Sequence, residues 1–282
     1  MTERLDAYEK LVRLDKPIGT LLLLWPTLWA LWLSSNGQPN WMVVWIFVLG
    51  TVLMRSAGCA MNDFADRNFD GHVKRTQDRP LASGRVSPKE ALIVAAVLAL
   101  LAFVLVWQLK PLVIKLSFGA LLVAMTYPFA KRFISLPQAY LGVAFGFGIP
   151  MAYAAHQDLV PMMAWLLLAA NIFWAIAYDT QYAMVDRDDD VKIGIKSSAI
   201  LLGRFDVAAV MLSHALFLGI LVYAGWWQKY RWPFFAGLAL AAVLAALQYP
   251  MIKQRDRDGC FKAFRFNNWV GGAVFLGCLF AF

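Results

Sequence analysis

The sequence predicts an all-α integral membrane protein, a bundle of nine transmembrane helices with its N-terminus in the cytoplasm. Three observations predict it. The 282 residues are 61% hydrophobic and 16% charged, against about 25% charged in soluble domains, and the mean hydropathy is +0.58. The apolar residues come in runs long enough to cross a bilayer. Lys and Arg gather in alternate connections, as the positive-inside rule requires.

Taken in order, the apolar spans are 18–34, 41–61, 90–108, 111–129, 136–154, 161–184, 206–226, 232–250 and 263–282. The N-terminal basic residues precede an apolar run that continues through Trp25, Trp29 and Trp32 without a small-residue cleavage site, so it reads as a retained helix and not a signal peptide. With a cytoplasmic N-terminus, the inside segments are 1–17, 62–89, 130–135, 185–205 and 251–262, and nearly all Lys and Arg lie there or at their edges. The outside connections hold only Lys110, Lys229 and Arg231, with Lys115 close by. The net charge of +8 is therefore topological and gives no reason to expect nucleic acid. The polar connections 62–89 and 185–205 are expected as long cytoplasmic loops of a single domain, 1–282. Cys59, Cys260 and Cys278 form no CxxC pair and His72, His156 and His214 are scattered, which leaves a thiolate or histidine metal centre without support.

Chemistry concentrates in two acidic stretches, each following a span on the cytoplasmic side. In the first, Asn62, Asp66 and Asp70 are spaced four apart; on a helix each such step rotates by only about 40°, so the three share a face. In the second, Asp186 and Asp190 are four apart, and Asp179 lies two turns deeper along the same face. Carboxylates this close repel one another and are costly at a membrane edge. A hard divalent cation resolves both problems, and all-oxygen donors favour Mg²⁺, Ca²⁺ or Mn²⁺. Two small clusters, and no closed cage, suit a metal-bridged diphosphate. The plainer reading, that the acids solvate two loops, gives no account of two clusters with the same spacing on the same side.

A diphosphate also needs protein cations. Arg67 lies within the first motif, and Lys74, Arg75, Arg79 and Arg85 follow it. Tyr127, Lys131 and Arg132 stand together at the end of one span. Arg13 and Lys16 precede the first span. Positive-inside bias accounts for most of these individually.

The stretches RLDKPIGTLLLLWPTLWAL, GCAMNDFADRNFDGHVKRTQDRPLASGRVS, TYPFAKR and YDTQYAMVDRDDDVKIGIKSSAILLG resemble the intramembrane UbiA-type aromatic prenyltransferases, with NDxxDxxxD and DxxxD as they stand here. The likeness runs over almost the whole chain. It implies a nine-helix bundle around a central cavity in a bacterial inner membrane, Mg²⁺ as cofactor, and transfer of a polyprenyl group from its diphosphate to 4-hydroxybenzoate in ubiquinone biosynthesis. By motif position it implies Asn62, Asp66 and Asp70 on one metal and Asp186 and Asp190 on the other. Tyr127 and Lys131 would contact diphosphate. Beyond what the resemblance implies, the charge pattern offers Arg13, Arg67, Lys74 and Arg79 as candidate substrate contacts, and Arg132 and Asp179 are the candidates for orienting the aromatic acid. Membrane lipid is the expected surrounding, and no obligate protein partner is evident. The same motifs would serve a different aromatic acceptor or haem. A cation transporter is the rival from another class; it expects acids near the bilayer midplane, not at helix ends on one side.

Overall fold

The computed structural model describes residues 2–68, 70–72, 76–194 and 196–282, with the side chains of Thr2, His72, Lys131 and Ile193 outside the description. The described chain is helical, and the expected nine spans do not map one to one onto its helices: the segments 136–154 and 232–250 are each divided between two. In order the helices are α1 (Thr2–Leu11), α2 (Ile18–Ser34), α3 (Trp41–Asp66), α4 (Pro88–Val106), α5 (Pro111–Phe133), α6 (Pro137–Gly146), α7 (Gly148–Gln157), α8 (Met162–Ile193), α9 (Ser198–Leu202), α10 (Asp206–Trp227), α11 (Trp232–Ala246), α12 (Tyr249–Ile252) and α13 (Arg257–Leu279). Among the described residues six helical stretches are long and apolar enough to cross a membrane, and α2 is a shorter apolar helix.

Local chemistry sets the ends. Asn40 caps α3 by accepting from the backbone N–H of Met42 and Val43. Ser87 and Glu90 form a reciprocal capping box at α4, with Pro88 in the first turn. α8 stops at Gly194, which adopts φ 71°, a left-handed conformation that costs glycine nothing.

Consecutive spans pack side by side, and α13 returns to α2 to close a ring, with α8 also packed against α13 and α6. The α6–α8 contact is very close. A Cβ on Gly142 would lie 2.7 Å from Ile172 Cα, and one on Gly146 would lie 2.4 Å from Leu168 Cδ1. Small residues four apart let backbones approach where lipid offers no hydrophobic drive for helix association. Asn171 donates to the Gly142 carbonyl at 2.8 Å across this seam. Outward, large apolar side chains are exposed, including Leu100, Phe118, Leu122, Trp226 and Trp232. In water such a surface would aggregate; in a bilayer it matches its solvent.

Two expectations change. The connections 62–89 and 185–205 are not loops throughout: α3 runs to Asp66 and α8 to Ile193. Intrahelical hydrogen bonds do not stop where hydropathy does, so both acidic stretches begin on rigid helix. Conversely, Asp70 is not on the helix with Asn62 and Asp66. α3 ends before Arg67, and Asp70 opens a 3-10 turn, Asp70–His72. The four-residue spacing that groups all three on one helical face holds for Asn62 and Asp66 alone.

Candidate active site

Asp70 nevertheless arrives beside the other two. The Thr76 hydroxyl donates to the Asp70 carbonyl at 2.9 Å, and Arg79 Nη1 donates to both Asp70 carboxylate oxygens at 3.0 and 2.8 Å. Turns at Thr76–Arg79 and Arg79–Ser83 carry the chain back to α4. Leu81 and Val86 from this segment pack with Ala7 and Leu11 of α1, Ala60 of α3 and Ala91 of α4. The amphipathic N-terminal helix thus braces the segment that presents Arg79.

Asn62, Asp66, Asp70, Arg79, Tyr127, Asp179, Asp186 and Asp190 line one pocket of about 170 Å³. α3 supplies the first pair, α5 supplies Tyr127, and α8 supplies the last three. Both acidic stretches therefore face one space. Asp66, Asp70 and Asp186 are buried, and Asn62 Nδ2 donates to Asp66 Oδ2 at 3.2 Å. Burial pushes the Asp70 carboxyl above its ordinary range, with the Arg79 guanidinium opposing.

The donor set fits Mg²⁺. Among the described residues no three His, Cys, Asp or Glu side chains form a group that could hold a metal ion by themselves. Two oxygen sets from different helices lining one pocket suit an ion that takes one or two carboxylates and completes its shell with water and phosphate.

Several sequence-derived candidates lie elsewhere. Arg67 is exposed, its guanidinium over the Phe64 ring at 4.4 Å and bonded to the Phe64 carbonyl at 2.8 Å. Arg132 donates to the Ala65 carbonyl at 2.5 Å and lies over Phe129, bracing the end of α3 beside Asp66. Arg13 pairs with Asp63. None of these three lines the pocket. Lys74, Arg75 and the Lys131 side chain lie outside the described residues.

Lys196, one of the cations that follow the second acidic stretch in the sequence, lines the same pocket, and so do Ser197, Gln138 and Thr76, which the motif reading did not select. Gln138 Oε1 accepts from the Ser198 backbone N–H at 3.0 Å and Ser198 Oγ is 2.7 Å from Thr180 Oγ1. These bonds fix the start of α9, two residues after Lys196, against α6 and α8.

Tyr127 also lines a second, larger cavity of about 420 Å³, walled by α2, α3, α4, α5, α6 and α7 and almost wholly apolar. Leu100 and Phe118 belong to its lining and are 63% and 58% exposed, so the cavity reaches the outer surface between α4 and α5. One charged side chain lines it, Arg55 of α3. Arg55 Nη1 donates to Cys59 Sγ at 2.7 Å, and among the described residues no carboxylate pairs with it. The visible signal for Arg55 was its place: an arginine inside an apolar span is expensive and marks function by default.

A polar, acid-lined pocket thus joins an apolar cavity at Tyr127. Residues 23–271 match the sequence profile of the UbiA prenyltransferase family. The chain belongs to that family. The curated UbiA relatives include a 4-hydroxybenzoate octaprenyltransferase from Cupriavidus necator, 62% identical over 282 residues, covering 100% of this chain and 99% of that one. Another from Methylobacillus flagellatus is 60% identical, covering 99% and 94%. Among solved UbiA structures, the apo homologue from Aeropyrum pernix superimposes with a TM-score of 0.80 at 27% identity, covering 92% of this chain and 96% of that one. A homologue from Archaeoglobus fulgidus, solved bound to GPP and Mg²⁺, superimposes with a TM-score of 0.76 at 17% identity, covering 98% of each; at that identity the likeness concerns the fold.

Proposed function

We propose that this chain transfers a polyprenyl group from polyprenyl diphosphate to the 3-position of 4-hydroxybenzoate, releasing diphosphate, in ubiquinone biosynthesis. The observation that carries this reading is the junction at Tyr127. One side offers two oxygen-donor sets and cations, which suit a metal-bound diphosphate. The other offers an apolar cavity open to the surrounding lipid, which suits a polyprenyl tail. The names of the curated relatives and the ligands of the Archaeoglobus structure point the same way.

Asn62, Asp66 and Asp70 would hold one Mg²⁺ and Asp186 and Asp190 the other. Bound there, the two ions supply charge neutralisation at the diphosphate as the C–O bond to the allylic carbon breaks. Arg79 and Lys196 add protein cations at the same pocket, and the Tyr127 hydroxyl stands where the head group meets the tail. The electron pair of the broken bond stays on diphosphate, and the allylic cation is resonance-stabilised. The apolar wall around it excludes water that would otherwise capture it. The ring carbon ortho to the phenol hydroxyl forms the new C–C bond and then gives its proton to the released diphosphate, which restores aromaticity.

The acceptor's carboxylate needs a cation if it enters an apolar cavity. Arg55 is that cation in this reading, in place of Arg132, because it faces the cavity without a carboxylate partner while Arg132 braces α3. Asp179, at the pocket's inner edge, faces the phenol end. The protein takes nine spans in a bacterial inner membrane, with the N-terminus and the acidic helix ends in the cytoplasm; the Lys and Arg distribution supports this orientation. A cation-transport reading would require a polar path continuing beyond Asp179, whereas the adjoining cavity is apolar but for Arg55 and a few hydroxyls.

Membranes containing the protein, supplied with 4-hydroxybenzoate, Mg²⁺ and a panel of prenyl diphosphates, test the proposal. The expected products are diphosphate and 3-polyprenyl-4-hydroxybenzoate, lost on chelation and restored by Mg²⁺. Diphosphate release that is indifferent to 4-hydroxybenzoate, or no release with any donor, would overturn it.

A further inference from the structure

The first acidic cluster already holds a cation of the protein's own. Arg79 Nη1 contacts both Asp70 carboxylate oxygens and lies 3.2 Å from Asp63 Oδ1. Arg13 Nη2 reaches the same Asp63 oxygen at 2.5 Å. Asp63 follows Asn62 by one residue, a rotation of about 100° around α3, so it faces Arg13 and the returning segment and is absent from the pocket lining. Its carboxylate is wholly buried, and Oδ2 has no hydrogen-bond partner among the described residues. Two guanidiniums share one buried carboxylate, and one of them extends onward to Asp70.

This arrangement sets up a competition. Asp70 offers the same two oxygens to Arg79 that a divalent ion would need. Arg79 itself lines the pocket that receives the diphosphate, where more acceptor oxygens would be within reach of its fork. Asp63 gives Arg79 a second anchor, so the side chain can release Asp70 without leaving the site.

We propose that Arg79 is an exchangeable counter-cation of the first acidic cluster. Before substrate enters, it neutralises Asp70; when the diphosphate arrives, it passes to the diphosphate oxygens and frees Asp70 for the metal, while Asp63 keeps it in place. Arg79 is then a positioning residue for the metal, and the inference rests on the prenyl-transfer reading above. The exchange makes metal and diphosphate binding reciprocal at this cluster, each raising the other's affinity by the same factor. It also keeps the buried Asp63 and Asp70 carboxylates paired with a cation before the metal binds.

The test uses the full chain in detergent, with Asp186→Asn and Asp190→Asn to silence the second cluster. Mn²⁺ binding is read by electron paramagnetic resonance, with inorganic pyrophosphate as the probe and a protein-free Mn²⁺–pyrophosphate titration as reference. No turnover is involved. With Arg79 present, Mn²⁺ binds weakly alone and about tenfold more tightly with pyrophosphate. Arg79→Gln should tighten Mn²⁺ binding in the absence of pyrophosphate by about tenfold and shrink the pyrophosphate effect. Arg79→Lys keeps the charge without the fork and should move both quantities less in the same direction, which serves if the Gln variant does not fold. Asp63→Asn should shrink the pyrophosphate effect while leaving Asp70 in place. Unchanged or weaker Mn²⁺ binding in Arg79→Gln and Arg79→Lys would overturn the exchange alone. No Mn²⁺ binding by the unmutated chain, with or without pyrophosphate, would instead bring down the metal-dependent reading on which it stands.

Discussion

A Cβ added to Gly19 would lie 2.4 Å from Nη2 of Arg55, and the absence of a side chain on α2 is what lets that guanidinium rest against the helix and face the cavity. The intruded atom is the far end of a flexible side chain, so Gly19→Ala should displace Arg55 and not unfold the bundle. Misplacing a binding group by about 1 Å can cost about a hundredfold in rate. Gly19→Ala should therefore raise the KM for 4-hydroxybenzoate and lower kcat, with the KM for prenyl diphosphate little changed and normal protein yield. Arg55→Ala should raise the aromatic-acid KM further, and Arg55→Lys should recover only part, since a planar fork becomes a point charge. Steady-state kinetics with each substrate varied in turn decide this. An unchanged aromatic-acid KM in Arg55→Ala would return the role to Arg132.

Asp66 and Asp186 line the pocket and belong to none of the apolar clusters that hold the bundle together. Asp66→Ala and Asp186→Ala should each reduce turnover by about a hundredfold or more, the usual scale for losing one transition-state electrostatic contact, while insertion and thermal stability stay near wild type. The measurement is product formation across a Mg²⁺ titration, with membrane-fraction yield as control. Near-full activity in either variant would remove that side from the two-metal assignment.

The helices and the two acidic centres were legible because each depends on residues close in sequence. Apolar run length located α3 and α8, and four-residue spacing joined Asn62 to Asp66 and Asp186 to Asp190. Asp70 was grouped with them for a reason that does not hold: it reaches the pocket through a 3-10 turn fastened by Thr76 and Arg79, not by continuing α3. Arg13 and Arg132 show the limit of charge reading. Both sit at polar ends of spans, yet their partners, Asp63 and the Ala65 carbonyl, are 50 and 67 residues away. Only the packing of α1 and α5 on α3 determines those contacts, and no local pattern encodes it. Arg55 was visible as an anomaly within an apolar span, but its direction depends on Gly19 of another helix.

Asp206, wholly buried at the start of α10, joins three elements away from the pocket. It accepts from Arg187 of α8 at 3.0 Å and from Arg255 Nε at 2.9 Å, and Arg255 also bonds the Arg204 carbonyl. Asp206→Asn would leave both guanidiniums without their counter-charge. The cost should be about 2–3 kcal/mol, below that of breaking a fully buried pair because both arginines are part-exposed. Thermal unfolding in detergent should show a lowered midpoint, while the KM for both substrates at a permissive temperature stays as in wild type. A large KM change would mean that this triad reaches the site.

The apolar cavity predicts how donor length is accommodated. Gly50 lines it one and a half helical turns further from the acidic pocket than Arg55, and a Cβ there would meet nothing within 4 Å. A larger side chain can therefore fill the channel without straining the helix, and removing glycine from a helix interior favours the helix by about 1 kcal/mol. A short tail ends before Gly50 or bends past it, whereas an octaprenyl tail must run through the cavity toward the gap beside Leu100 and Phe118 to reach lipid. Gly50→Leu should lower kcat/KM for octaprenyl diphosphate by about tenfold or more, the worth of one or two misplaced apolar groups in a pocket, and leave that for geranyl diphosphate within about twofold of wild type. Gly58 is the control: it also lines the cavity with open space around it, but stands between Arg55 and Asn62, close to the reacting carbon. Gly58→Leu should therefore impair both donors alike. Competition between the two donors in one reaction, with products resolved by length, measures the ratio directly. Equal losses for both donors in Gly50→Leu would place the tail on a different path out of the site.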